Sequence, residues 1–194
     1  LIPKTSPNLN LKSFSSFQSL DKLLKVTLAE SKFDAVIHLA AVADYSLDEV
    51  ESNGATVKAP INQKIDSGES LILKLKKNPK IIDSIKDYAS NPNMKVVAFK
   101  LTQTPLETAR TEAVSQLARH AMPDFIVHID LTEIVNGDHP FAIYESASAQ
   151  PFNSSIAQTF PKPVAIANGA QNLAATLSVL LGGLQEDFPE GARP

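Results

Sequence analysis

Apolar residues in this chain fall into blocks of two periods. Phe17, Leu20, Leu23, Leu24 and Leu28 recur at three- and four-residue spacing, which predicts a helix with one buried face and Ser16 or Ser19 capping its start. Phe33 to Ala41 is a continuous apolar run whose length, after a helix, suits a fully buried parallel strand. Leu9-Asn10-Leu11 alternates as a short strand does. Val42 to Gln63 carries no clear period and mixes Asp, Glu, Asn, Gly and Pro, the composition of a long surface loop. Lys64-Ile65-Asp66 and Ser70 to Leu75 flank Ser67-Gly68-Glu69, which reads as a β-hairpin with Gly at the bend and Leu71, Leu73 and Leu75 on one face. Asn78-Pro79 predicts a helix start, with Asn78 as N-cap and Ile81, Ile82 and Ile85 as the apolar face.

The alternation continues to the end. Lys95 to Leu101 predicts a strand, and Thr104 to Glu107 has capping-box spacing before a helix reaching about His120. Asp124 to Asp130 and Phe141 to Glu145 predict strands, and Ala170 to Leu181 a helix that Gly182-Gly183 ends. The polar stretch 185–194 reads as a flexible tail. Helices alternating with strands point to an α/β fold with a mainly parallel sheet and an added β-hairpin.

Composition narrows the classes. With 194 residues, 43% hydrophobic and 20% charged, the chain fits one globular domain with a real core. The net charge of −3 and scattered basic residues argue against a nucleic-acid partner. No Cys is present, so disulfides, thiolate metal sites and a cysteine nucleophile are excluded. No apolar run approaches the roughly 18 residues of a membrane span. The chain opens Leu1-Ile2-Pro3-Lys4 and holds 7 glycines, with no Gly-rich dinucleotide loop and no P-loop. Its natural beginning, and any phosphate-cradling loop, are expected upstream of Leu1.

In open α/β sheets ligands bind beyond the carboxyl ends of the strands. Ala40-Ala41-Val42-Ala43-Asp44-Tyr45 follows the first clear strand; its small residues allow close approach, and Asp44 is placed to accept a hydrogen bond or hold a cation. By spacing alone, a turn-capping aspartate is the commoner outcome. Lys64 offers a point charge to a polyphosphate, or is a solvated lysine. Phe99 ends a strand and either stacks on a base or joins the core. His38 reads as a buried, hydrogen-bonded histidine. His120, His128 and His139 have no metal-ligand spacing, and Asn153-Ser154-Ser155 forms no nucleophile motif.

In consistent order, these segments resemble the phosphopantothenate–cysteine ligase family of coenzyme A biosynthesis, in its stand-alone form. Ala40 to Tyr45 matches an AAVADY-type motif, Lys64-Ile65 the start of a KIK segment, Leu73 to Ile82 an L-x-L-x-K-[NT]-P-x-I-[LI] stretch, and Val97 to Leu101 a V-G-F-K-L strand. Asp124 to Val127 and Asp130-Leu131-Thr132 resemble a D-x-I-I-A-N-D-L-T segment. The resemblance spans roughly Asn8 to Leu181. It implies a Rossmann-like three-layer α/β fold in a single domain over residues 1–184. It implies an acid–amino-acid ligase that activates the 4′-phosphopantothenate carboxylate with CTP or ATP, with Mg²⁺ on the phosphates, and then forms an amide with cysteine. Lys64 would be catalytic, stabilising the departing pyrophosphate. Ala41, Asp44, Lys64, Phe99 and Arg119 would bind the nucleotide, and no resident metal ligands are implied. Ser46 to Gln63 would be a mobile flap, and the protein a cytoplasmic homodimer with neither nucleic acid nor membrane as partner. The chain departs from the family at Asp66-Ser67, at Arg119-His120 (where a lysine is expected before Asp124) and at His128-Ile129, and it lacks the Gly-rich N-terminal segment.

Two other readings stand beside this one. Val36 to Ala41 resembles a strand of short-chain dehydrogenases, but Tyr45, Tyr88 and Tyr144 are each followed four residues later by Glu49, Pro92 and Ser148, not by the lysine that chemistry needs. The departures at Asp66, His128 and Ile129 support a ligase-like binding subunit without catalysis.

Overall fold

The structure, a computed structural model, describes residues 9–62, 64–65, 70–146 and 162–182. Five strands form the main sheet in the order β1 (Ala35–His38), β5 (Lys95–Thr102), β6 (Phe125–Asp130), β7 (Pro140–Glu145), β8 (Ala165–Asn168). The pairs β1/β5 and β5/β6 are parallel, and β6/β7 and β7/β8 antiparallel, so four strands run one way and β7 alone is reversed. Helices cover both faces, which makes the Rossmann-like α/β sandwich expected from the alternation.

Strand alternation sends neighbouring residues to opposite layers. Val96 packs with Leu20 and Leu28 of α1 (Phe17–Glu30) and with Ile81, Ile85 and Met94. Val97, Phe125, Val127, Ile143 and Ala167 pack instead on Leu173 and Leu177 of α4 (Gly169–Leu180). Helix α3 (Glu107–Ala121) lies against β5 and β6 and buries Val114. Helix α1 begins where its cap chemistry dictates: the Ser16 hydroxyl accepts from the Ser19 N–H, and the Ser19 hydroxyl accepts from the Ser16 N–H.

Several expectations need correction. The apolar run from Phe33 yields only the four-residue β1, at the sheet edge, and Ile37 is 51% exposed; the strand is not buried on both faces. Leu9-Asn10-Leu11 is not a strand. The aperiodic surface loop expected from Val42 is not one over its greater part. Tyr45–Ser52 (β2) and Ala55–Lys58 (β3) form a hairpin closed by Asn53-Gly54, both at positive φ (50° and 76°) as a type I′ turn demands. The strand β4 (Leu71–Lys77) pairs antiparallel with β2, with Leu73 opposite Val50. Lys64-Ile65, the described part of the first arm of the hairpin expected across Ser67-Gly68-Glu69, belongs to no strand, and the bend lies outside the described residues.

Asn78 caps no helix, because its side chain is used elsewhere. A 3-10 turn (Ile81–Ser84) leads into the single-turn α2 (Ile85–Tyr88). The Thr104 hydroxyl accepts from the Leu106 N–H, and α3 starts at Glu107 without a side-chain cap, so the expected capping box is absent. Strand β8 is only four residues long, too short to show a period in the sequence. Asn153-Ser154-Ser155 and the tail 185–194 lie outside the described residues.

Candidate functional site

A cleft of about 740 Å³ opens at the carboxyl ends of β1 and β5. That is the place an open α/β sheet leaves for a ligand, and the size suits a small molecule. Its walls come from His38 to Asp44 after β1, Lys77 and Pro79 to Asp83 after β4, Ala98 to Leu101 in β5, and the Ala113, Gln116, Leu117 and His120 side of α3. Ala41, Asp44 and Phe99 therefore meet in one cavity. Phe99 also packs, partly buried, on the α4-side core. Lys64 and Arg119 are not among the lining residues. Lys64 is exposed and has no hydrogen bond or ion pair among the described residues, whereas Arg119 bonds Glu112 at 2.9 Å on α3. Its neighbour His120 lines the cleft instead.

The wall after β1 is held by one buried amide. The Asn78 carbonyl oxygen accepts from the Ser46 hydroxyl (2.8 Å), its amide donates to the Ala43 carbonyl (2.9 Å), and its backbone N–H donates to the Asp44 carbonyl (2.8 Å). Asn78 thus fixes the small-residue turn relative to β4. Replacing it with alanine leaves the Ala43 carbonyl and Ser46 hydroxyl without these partners. Asn78→Ala is expected to cost about 1–3 kcal/mol in urea unfolding at an unchanged m-value; a loss below about 0.5 kcal/mol would show that the turn holds itself.

Positive charge dominates the mouth. Asp44 forms an ion pair with Lys80. The hydrogen bond and charge of Lys80, and then the charges of Lys77 and Lys100, hold the Asp44 carboxyl below its ordinary range. Burial pushes the His38 imidazole below its ordinary value, so it is neutral at pH 7. His38 is half-buried at the strand's end and faces the cleft, not the sealed interior expected of it. Lys77, Lys80 and Lys100 had been assigned no role from sequence. Their signal was present, a lysine near the carboxyl end of β5, one ending β4 and one just after it, but only the fold shows that those ends converge.

Beside the cleft, Asp130 terminates β6 with its side chain fully buried. Burial alone would raise its carboxyl. Hydrogen bonds from the Thr102 hydroxyl, the Thr132 hydroxyl and N–H, and the Thr104 N–H outweigh burial and hold it well below the usual carboxylate range. The single Thr102 hydroxyl hydrogen is directed to Asp130, so the network assigns the hydrogen between Thr102 and His128 (2.8 Å) to His128 Nε2. His128 is buried edge-on to Tyr144, with ring centroids 6.4 Å apart. The His128-Ile129 departure therefore places a structural histidine behind the site, while Ile129 lines the cleft.

Among the described residues no group of three or more His, Asp or Glu side chains could hold a metal ion. Two carboxylates, Asp44 and Asp83, line the cleft. This donor set suits a magnesium ion that arrives on a ligand's phosphates and takes at most a carboxylate from the protein.

Comparison with known proteins gives the family and supports the fold. The chain is 29% identical over 113 residues to the coenzyme A biosynthesis bifunctional protein CoaBC of Thermococcus kodakarensis, a match covering 57% of this chain and 25% of that protein. The chain thus spans about a quarter of that curated relative. The crystal structure of the DNA/pantothenate metabolism flavoprotein from Streptococcus pneumoniae superposes with a TM-score of 0.66 at 19% identity, over 93% of this chain and 75% of that one, and so shares its fold. The family model of the DNA/pantothenate metabolism flavoprotein C-terminal domain matches residues 4–139, well over half the chain, and the chain belongs to that family.

Proposed function

We propose that this domain works in coenzyme A biosynthesis as the nucleotide-binding part of a phosphopantothenate–cysteine ligase. The observation that carries this reading is the convergence of the Ala40–Asp44 turn with Lys77, Lys80 and Lys100 in one cleft. A flat base and ribose need small, close walls, and a triphosphate needs fixed cations. In the reaction, the phosphopantothenate carboxylate attacks the α-phosphate of CTP or ATP and pyrophosphate leaves. The cysteine amine then attacks the acyl carbon and the nucleoside monophosphate departs. Ala41 and Phe99 are proposed to flank the base and ribose, and Asp44 to bind the nucleotide or the magnesium it carries. The lysines stabilise charge that develops on the leaving pyrophosphate. Lys64, as the catalytic cation, must reach the cleft from its exposed position after β3. Arg119 contacts nucleotide only by exchanging Glu112.

Homodimerisation belongs to the same proposal. All seven β4 residues are exposed, and Leu71, Ile72, Leu73 and Leu75 lie on this edge strand of the β3-β2-β4 sheet. An uncovered apolar edge invites a second copy; sedimentation as a monomer at every concentration would remove it. A cytoplasmic site of action accompanies this reading. Among the described residues no helix is long and apolar enough to cross a membrane. The family match gives no support to the dehydrogenase alternative.

The deciding experiment measures pyrophosphate release that depends on phosphopantothenate, with CTP and ATP in parallel. Lys64→Ala is expected to slow release about 10²-fold, and unchanged release would exclude its catalytic role. The burial of His128 keeps the second reading, a binding subunit, in view: CTP or ATP would raise the melting temperature while no pyrophosphate appears.

A further inference from the structure

The ion pair of Lys80 and Asp44 occupies the place where a polyphosphate would need a free cation. Both side chains are more than half exposed, 54% and 58%, and both line the cleft. Lys77 and Lys100 line it too, and neither has an ion pair or a side-chain hydrogen bond among the described residues. Lys80 is thus the one of the three whose charge is already answered, and the answering group is held in place: Asn78 bonds the Asp44 carbonyl from behind. An exposed pair of this kind is weak, and its partners exchange readily for a more highly charged ligand.

We infer that Asp44 serves as an internal stand-in for the ligand's phosphate, holding Lys80 at the cleft mouth and surrendering it when a polyphosphate enters beside Lys77 and Lys100. Lys80 is then an affinity-determining residue, and Asp44 sets how much of its charge is available. The inference rests on the cleft being the nucleotide site. It predicts a specific coupling. Removing the Asp44 charge helps polyphosphate binding only while Lys80 is present to be released.

The test is calorimetric titration of the full chain with inorganic tripolyphosphate in metal-free, low-salt buffer, where screening is least. Lys80→Gln is expected to weaken binding about tenfold, and Asp44→Asn to strengthen it about three- to tenfold. In the Asp44→Asn/Lys80→Gln double variant the gain should shrink to the small benefit of losing a nearby negative charge. A full gain in the Lys80→Gln background, a loss of affinity in Asp44→Asn, or no binding of tripolyphosphate by the wild type would each overturn the exchange. Unchanged melting temperatures establish that the variants fold. CTP and ATP competition separates the two readings. Tripolyphosphate coupling without nucleotide competition defeats the nucleotide site but leaves the exchange standing. Nucleotide binding with additive variants does the reverse.

Discussion

Asp130→Ala is expected to lower the free energy of unfolding by about 3–5 kcal/mol, the largest single loss predicted for this chain. The carboxylate is buried and accepts from the Thr102 hydroxyl (2.5 Å), the Thr132 hydroxyl (2.5 Å), the Thr132 N–H (2.8 Å) and the Thr104 N–H (3.2 Å), with the Arg110 Nε 3.8 Å away. Truncation strands these donors together. Arg110 keeps Glu133 as a partner, but its buried Nε has no hydrogen bond to replace the lost attraction. Asp130→Asn is expected to fall between, because an amide nitrogen cannot accept from the donors it would face. The effect has a pH signature. Asp130 is held below its ordinary range when folded and titrates near pH 3.9 when unfolded. The unfolded state therefore binds a proton first as pH falls, and the stabilisation, fully present above about pH 4, is lost progressively below it. The difference between wild type and Asp130→Asn should be constant from pH 5 to 8 and shrink in acid. A loss under about 1 kcal/mol for Asp130→Ala, or a difference that does not narrow in acid, would show that the network is not anchored on this carboxylate.

The second large effect is on activity. Lys100→Ala is expected to lower kcat/KM for phosphopantothenate-dependent pyrophosphate release about 10²- to 10³-fold, with stability changed by less than about 0.5 kcal/mol. Lys100 sits near the end of β5, paired in register with His128 of β6, so a rigid sheet positions its backbone. It lines the cleft, and its charge is felt at Asp44. A cation held this way is prearranged for charge that develops on a leaving phosphate. Lys100→Arg keeps the charge with a different reach and should restore part of the loss. A fall confined to KM would assign Lys100 to ground-state binding alone. Wild-type rates in Lys100→Ala would remove it from the site.

Much of the architecture was legible because helix and strand signals are local. The 3.6-residue period of Phe17 to Leu28 and the Ser16–Ser19 cap set α1, and Lys95–Thr102 and Phe125–Asp130 announced themselves as β-branched apolar runs. Local signals also misled. The leucines of β4 alternate cleanly on one face, yet that face is as exposed as the other, because alternation reports a strand and not what covers it. Asn53-Gly54 is a strong hairpin signal that the polar residues around it obscured.

What the chain's order of residues determined by itself was the set of elements and the ordered segments, Ala40–Tyr45 and Leu73–Ile82 among them, that its family membership explains. Tertiary structure alone decided which strand β4 joins, that Asn78 braces a turn in place of capping a helix, and that Lys77, Lys80 and Lys100 share a cleft with Asp44 while Lys64 and Arg119 do not line it. The reason is range. A period or a cap is an interaction between residues within four positions of each other, whereas partners such as Asp44 and Lys80 lie 36 residues apart and meet only once sheet and turns have closed the distance.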